Sequence, residues 1–210
     1  SQKERVIFSG ECSDEIFGGY PWFYRKELKN LETFPWLRNV NDRISLLHED
    51  IKHFDYQGYI KKNYADSIAD MDYLSDDSKE DRQARIHSVL CLHWFMTLVV
   101  RQITMANWAN ITIRAPFADV RTLEYVYNIP WDMKFYKQNE KGILRKAFEK
   151  LLPKDVCWRK KNPFPKTHNP LYADLVADLL KERYDDPSSP LHRLFDDATL
   201  KELIESKGAS

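Results

Sequence analysis

The stretch ERVIFSGECSDEIFGGY, residues Glu4 to Tyr20, decides how the chain is read. Arg5 to Ser9 has the pattern of a short apolar strand, with Val6, Ile7 and Phe8 consecutive and β-branched residues at its heart. Ser9-Gly10-Glu11 reads as a tight turn, and Glu11, Asp14 and Glu15 then enter a short helix. Gly18-Gly19 closes that helix, because glycine takes the left-handed C-cap conformation without a Cβ penalty. Strand, glycine turn and acid-loaded helix start is the place where open α/β sheets hold ligand chemistry. One carboxylate there suits the helix dipole. Three repel one another unless a cation joins them, and hard divalent cations take oxygen ligands. The local pattern therefore predicts a metal–phosphate site at the carboxyl end of a strand. Physics alone leaves a plainer reading beside it: Asp14 as an early-helix acid satisfying free N–H groups, with Glu11 and Glu15 solvated.

Length and composition narrow the classes. The 210 residues can form one substantial core. Lys+Arg and Asp+Glu are equal at 32 each, so no net field recruits nucleic acid or an anionic membrane. No run of eighteen apolar residues occurs, and no signal peptide is visible at Ser1. Cys12, Cys91 and Cys157 are too scattered for a disulfide framework or a zinc site; a reduced, cytoplasmic compartment is the expectation. A parallel-type strand met almost at once, with no earlier strand to pair with, suggests the C-terminal portion of a longer protein.

Further along, Tyr20, Trp22, Phe23 and Tyr24 form an aromatic cluster. It could stack on a base, but packing of a helix over about 24–31 on the core is the stronger reading. Pro35 suits a helix N1 position. Residues 48–78 are polar and irregular and read as a surface insertion; His48 and His53 would lie on different helix faces, so metal binding is not expected. The best helix is predicted over about 80–107. Ile86, Val89, Leu90, Phe95, Leu98, Val99 and Ile103 lie on its apolar face, and Arg82, Arg85, Arg101 and Gln102 at wetter positions. His87 and His93 are too far apart for an i,i+4 chelate and read as hydrogen-bonded residues at the core edge.

Pro116 forces Ala115 out of the helical region, so Ile111 to Ala115 should be extended before a helix capped by Asp119. Arg114 in that segment could fork onto a carboxylate or serve a structural ion pair. Ile143, Leu144, Ala147, Phe148 and Leu151 trace one helix face that ends before Pro153. Lys141, at or before its first turn, is electrostatically misplaced; a triphosphate or pyrophosphate would explain it, a solvated loop lysine is the bland alternative. Trp158 to Lys166 carries four basic residues and two prolines and reads as a docked surface loop that could help hold phosphate. Helices are expected from Asn169 to about Arg183 and, after a break at 187–190, over about 197–205.

The string SGECSDEIFGGY resembles the SGEGxDEhFGGY segment (h being apolar) of the synthetase domain of glutamine-hydrolysing asparagine synthetases, to which the β-lactam synthetases are related. The match continues at Met105-Ala106 and Arg114-Ala115-Pro116-Phe117, similar to the family's MSxxxxxEARxPFLD. Ala106 stands there for Ser, Thr112-Ile113 for Glu-Ala, and Ala118 for Leu. Lys141 stands before a GILRKAF run like the family's xILRxAF, and Trp158-Arg159-Lys160-Lys161 resembles its RKKxxF. The resemblance covers most of residues 4–170. It implies a mostly α fragment, with one strand near the N-terminus followed by helices, as the C-terminal portion of an α/β ATP-pyrophosphatase domain.

The implied chemistry is adenylation of the aspartate side-chain carboxylate by ATP with Mg2+, followed by attack of glutamine-derived ammonia to give asparagine, AMP and pyrophosphate. It implies Asp14 as the metal ligand, Glu11 as general base, Lys141 against the phosphates, and Gly10 where the backbone approaches ATP. Arg114 falls on the substrate side, and a homodimer is among the expectations. The family's SGGxDSS pyrophosphate loop and its glutaminase domain do not occur in these 210 residues, so this segment by itself is expected to be inactive. A β-lactam-forming or other amide-forming relative and a non-catalytic helical interaction module are the alternatives.

Overall fold

The computed structural model describes residues 5–37, 39–162 and 170–207. In chain order its regular elements are β1 (Val6–Phe8), α1 (Ser13–Phe17), α2 (Lys26–Lys29), α3 (Val40–Ser45), α4 (Glu49–Lys52), α5 (Tyr56–Ile68) and α6 (Lys79–Trp108). After these come β2 (Thr112–Arg114), α7 (Val120–Tyr127), α8 (Trp131–Lys134), α9 (Gly142–Phe148), α10 (Lys154–Cys157), α11 (Pro170–Tyr184), α12 (Leu191–Leu194) and α13 (Asp197–Ser206). Three single turns of 3-10 helix begin at Pro21, Pro116 and Tyr136. The architecture is mostly helical, as the sequence implies, with one correction. β1 is not lone: it pairs in parallel with β2, Val6 opposite Thr112, Ile7 opposite Ile113 and Phe8 opposite Arg114. Its side chains are about half exposed or more (52%, 48% and 75%), whereas an apolar run predicts burial.

The chain divides into two compact units, one of 1–35 with 60–161 and the other of 36–59 with 162–210. The first is built on α6. Ser78 and Asp81 form a reciprocal capping box at its start, which satisfies otherwise orphaned N–H groups. Its first half buries Ala84, Leu90 and Cys91. Arg85 corrects the sequence reading: it is not a wet position but a buried residue. Its guanidinium forks onto Asp77 with two 2.8 Å bonds and donates to the Tyr127 carbonyl. His87 is deeper than a core-edge residue, at 1% exposure, with Nε2 3.1 Å from the Lys29 carbonyl oxygen. His93 is exposed.

Length and composition alone would let α6 cross a membrane. The buried ion pair, the cap and the packed first half place that half in the core of this unit, whereas Val100, Met105 and Trp108 of the second half are exposed. Against α6 packs α1, whose Ile16 and Phe17 join Val126 of α7, with Leu92, Phe117, Leu123, Ile143 and Leu144 around them. The 20–24 aromatics pack rather than stand open: Phe23 stacks on Trp131 (5.8 Å), and Tyr24 on Phe135 (5.5 Å). The helix predicted over 24–31 shrinks to α2.

In the second unit Leu47 and Phe195 form an antiparallel bridge, reinforced by His48 N–H to the Leu194 carbonyl (3.0 Å) and Asp196 N–H to the Leu46 carbonyl (3.0 Å). α11 packs on α13. Two expectations fail between 35 and 68. Pro35 lies in a turn and starts no helix, and the supposed irregular insertion contains α4 and α5. His48 acts as the N-cap of α4, its Nδ1 accepting from Asp50 N–H. In α5 only Tyr64 is buried, so no apolar stripe advertises that helix. Asn169 and the loop residues 163–166 lie outside the described residues.

Candidate active site

The acidic half is set by the turn after β1. Ser9 N–H donates to the Arg114 carbonyl (2.8 Å), so strand pairing delivers the turn to a fixed place. Cys12 then takes a left-handed conformation (φ 69°) where the motif has glycine, a cost of roughly 1–2 kcal/mol for a residue with a Cβ. Its side chain is buried. Burial first, then the Glu15 and Glu11 charges, push its thiol up to about 11, which rules it out as a thiolate nucleophile near neutrality. Gly18 ends α1 in the left-handed region (φ 72°), as the sequence predicts. Gly19 has a different reason: a Cβ there would lie 1.7 Å from Asp14 Oδ1.

Each of the three acids has its own environment. Glu11 accepts from Gln102 Nε2 of α6. Ser9 Oγ donates to Gln102 Oε1 (3.4 Å) and accepts from Glu11 N–H (3.3 Å), so the amide that orients the carboxylate is itself tied to the turn. Glu15 is 5% exposed and accepts from the Tyr20 hydroxyl at 2.8 Å. Burial raises its carboxyl above the usual range; the Tyr20 hydrogen bond opposes that shift, and the Asp14 and Glu11 charges add to it. Burial and the Glu15 charge push the Tyr20 phenol far up, so it stays a donor.

Asp14 faces the basic half. Lys141 is the N-cap of α9 in left-handed backbone (φ 55°). The next residue must be glycine, because a Cβ on Gly142 would meet the Tyr136 carbonyl oxygen at 2.5 Å. Lys141 Nζ lies 3.0 Å from Asp14 Oδ1, and Lys161 Nζ lies 3.0 Å from the same oxygen. Arg145 of the GILRKAF run fastens the loop that carries Lys161. It donates to the carbonyls of Cys157 (2.8 Å) and Arg159 (2.7 Å) and to Glu140 Oε1 (2.9 Å). Glu140 Oε1 in turn accepts from Lys161 N–H (2.9 Å).

Asp14 Oδ1 is buried and has no aligned hydrogen-bond donor, although two ammonium groups stand at contact distance. Its charge is compensated while its directional bonding capacity is unused. Among the described residues no three His, Cys, Asp or Glu side chains gather to hold a metal. Magnesium does not require such a cage, since it keeps several waters and is bound by one or two carboxylates plus substrate phosphates. Asp14 with its unsatisfied oxygen fits that mode.

The structure thus brings Asp14 and Lys141 together, with Glu11 on the same turn and helix. Arg114 is exposed on β2; it fixes Ser9 through its carbonyl, and its guanidinium makes no ion pair among the described residues. Gln102, Glu15, Tyr20 and Lys161 are the residues the sequence reading did not assign. Lys161 lay inside a motif already noticed. Glu15 stands in the acid cluster and Tyr20 in the aromatic one, but their mutual hydrogen bond is not foretold by either pattern, and the role of Gln102 depends on a contact between distant segments.

A family model described as asparagine synthase matches residues 1–210. The chain is 43% identical over 207 residues to glutamine-hydrolysing asparagine synthetase 3 of Bacillus subtilis (strain 168), covering 98% of this chain and 33% of that protein. It is 27% identical over 162 residues to the glutamine-hydrolysing asparagine synthetase of Mus musculus, covering 76% of this chain and 20% of the other. With asparagine synthetase B of Escherichia coli (strain K12) the identity is 23% over 184 residues, 87% of this chain and 24% of that protein. The chain therefore spans a third or less of the length of these curated relatives. With the family model covering every residue, this chain belongs to the asparagine synthase family.

Proposed function

We propose that the full-length protein is an ATP-dependent amide ligase making asparagine in the cytoplasm, and that this segment is the C-terminal portion of its synthetase domain. The observation that carries the proposal is the single Asp14 oxygen shared by Lys141 and Lys161. Two lysine ammonium groups converging on one carboxylate are point charges that phosphate oxygens can draw from it, and a polyanion suits that pair of cations. In the proposed reaction the aspartate side-chain carboxylate attacks the α-phosphorus of ATP, forming an acyl-adenylate and expelling pyrophosphate. Ammonia, supplied from glutamine by a glutaminase domain outside this chain, then attacks the acyl carbon, and AMP leaves as the amide forms.

The residues divide that work by chemistry. Lys141 and Lys161 stabilise the charge that grows on the departing pyrophosphate, and stabilisation of this kind is usually the largest catalytic term. Asp14 is the protein ligand for magnesium, whose charge would neutralise phosphate oxygens. Glu11, oriented by Gln102, accepts a proton from the attacking amine or its tetrahedral adduct. Among the described residues, chain neighbours aside, no atom lies within 4 Å of a Cβ built on Gly10, so the space beside that turn is open for the nucleotide. Arg114 is proposed as a contact to the amino-acid substrate.

The test is ATP–pyrophosphate exchange by the full-length protein, with aspartate compared against other carboxylates. Exchange with aspartate is expected. Exchange only with another acid would move the protein to a β-lactam-forming or other amide-forming relative, and no exchange with any acid would favour a non-catalytic role.

A further inference from the structure

We propose that Tyr20 is a positioning residue whose ring face holds the Lys161 ammonium at the phosphate site. The inference rests on the reading of Lys161 as a phosphate contact and extends it to the group that aims it. Lys161 Nζ lies 4.4 Å from the Tyr20 ring centroid as well as 3.0 Å from Asp14. These two contacts behave differently once ligand arrives. A metal ion competes for Asp14, and phosphate oxygens compete for the ammonium, so the ion pair weakens when it would be needed. The ring carries no charge to be claimed by either, and a cation over an aromatic face keeps its attraction.

The ring is itself held in place from several sides. Its hydroxyl donates to the buried Glu15 carboxylate at 2.8 Å. It stacks on Trp22 at 4.5 Å with planes 17° apart, and Phe95 meets it nearly perpendicularly (85°) at 5.8 Å. Glu15, holding the Tyr20 hydroxyl, serves as the anchor of the ring. The long lysine stem has four rotatable bonds to lose, and the ring fixes its end before phosphate is bound.

The experiment is calorimetric titration of the full-length protein with magnesium pyrophosphate, alongside kcat and KM in ATP–pyrophosphate exchange. Tyr20→Leu should weaken pyrophosphate binding by roughly 3- to 30-fold, the range for a cation over an aromatic ring, and raise the KM for pyrophosphate more than it lowers kcat. Tyr20→Phe keeps the ring and should bind within about twofold of wild type. In a Lys161→Met background, Tyr20→Leu should add nothing. Replacing Tyr20 with 3,4,5-trifluorophenylalanine preserves shape but drains the ring of electron density, and should behave like Tyr20→Leu even where the leucine variant does not fold. The proposal is overturned if the trifluorinated ring binds like Tyr20→Phe, or if Tyr20→Leu weakens binding equally without Lys161. Wild type and Lys161→Met binding pyrophosphate alike would instead overturn the phosphate role of Lys161, and this inference with it.

Discussion

Two carboxylates in the first unit face cations in opposite ways. Asp77 meets Arg85 through two hydrogen bonds, both side chains are 3% exposed, and Arg85 donates a third to the Tyr127 carbonyl while its guanidinium lies over the Tyr127 ring. That pair is saturated. Asp14 meets two lysines at the same oxygen, all three side chains are 22–30% exposed, and the oxygen has no aligned donor. That set is unsaturated. Arginine's planar fork suits a closed, permanent pair, whereas lysine's point charge can turn from a carboxylate to a phosphate. The first arrangement is a fastener and the second a binding site.

Removing one partner of the fastener should have the largest effect on stability. Arg85→Leu leaves the Asp77 carboxylate buried without its cation, and the expected loss is about 3–5 kcal/mol by urea denaturation. Molecules that remain folded should keep their exchange activity. The site should respond in reverse: Lys141→Met is expected to lower kcat for exchange by about 100- to 1000-fold with an unfolding midpoint close to wild type. Equal loss of stability in both variants would erase the distinction drawn between the pairs.

Acid should sharpen it further. His87 is almost fully buried, and that burial, only partly offset by the Lys29 carbonyl, pulls its imidazole down from 6.5 to about 4. The unfolded chain therefore takes up a proton that the folded chain refuses. Its stability contribution is complete above about pH 6.5 and is lost as pH falls towards 4, an effect of roughly 3 kcal/mol. Urea midpoints measured across that window should flatten in His87→Leu. The smallest effect belongs to the end of α6: Ser78→Ala removes one side of the capping box and should cost about 1 kcal/mol, with exchange kinetics unaltered.

What the sequence disclosed and what it hid follow one physical line. The α1 C-cap at Gly18, the extent of α6, the Asp119 cap of α7 and the place of Lys141 just before the first turn of α9 are governed by neighbours a few residues away, and each is legible. The meeting of Asp14 and Lys141 has no such local cause: the misplaced cation points to a phosphate, and only the resemblance to the family's motifs sets the two residues at one site. Pairing of β1 with β2 was not legible, because a parallel partner is separated by a long crossover and leaves no local mark. Arg85 looked wet because helical periodicity says nothing about an acid waiting at Asp77 beyond the helix. α5 hides because its polar face nearly encircles it. Lys161 was seen as part of a basic loop, but choosing it from four cations required the Arg145–Glu140 fastening that only the fold provides.

The distance along the chain between Asp14 and its two lysines also has a consequence for biosynthesis. The acids leave the ribosome first, and the lysines follow only after α6, β2 and α7 have been made. At about 5–20 residues per second the wait is on the order of ten seconds. A nascent chain that ends before Lys141 can already form α1 and α6, yet it lacks the two ammonium groups that face Asp14. The charge balance at Asp14 is therefore complete only in chains that have passed Lys161.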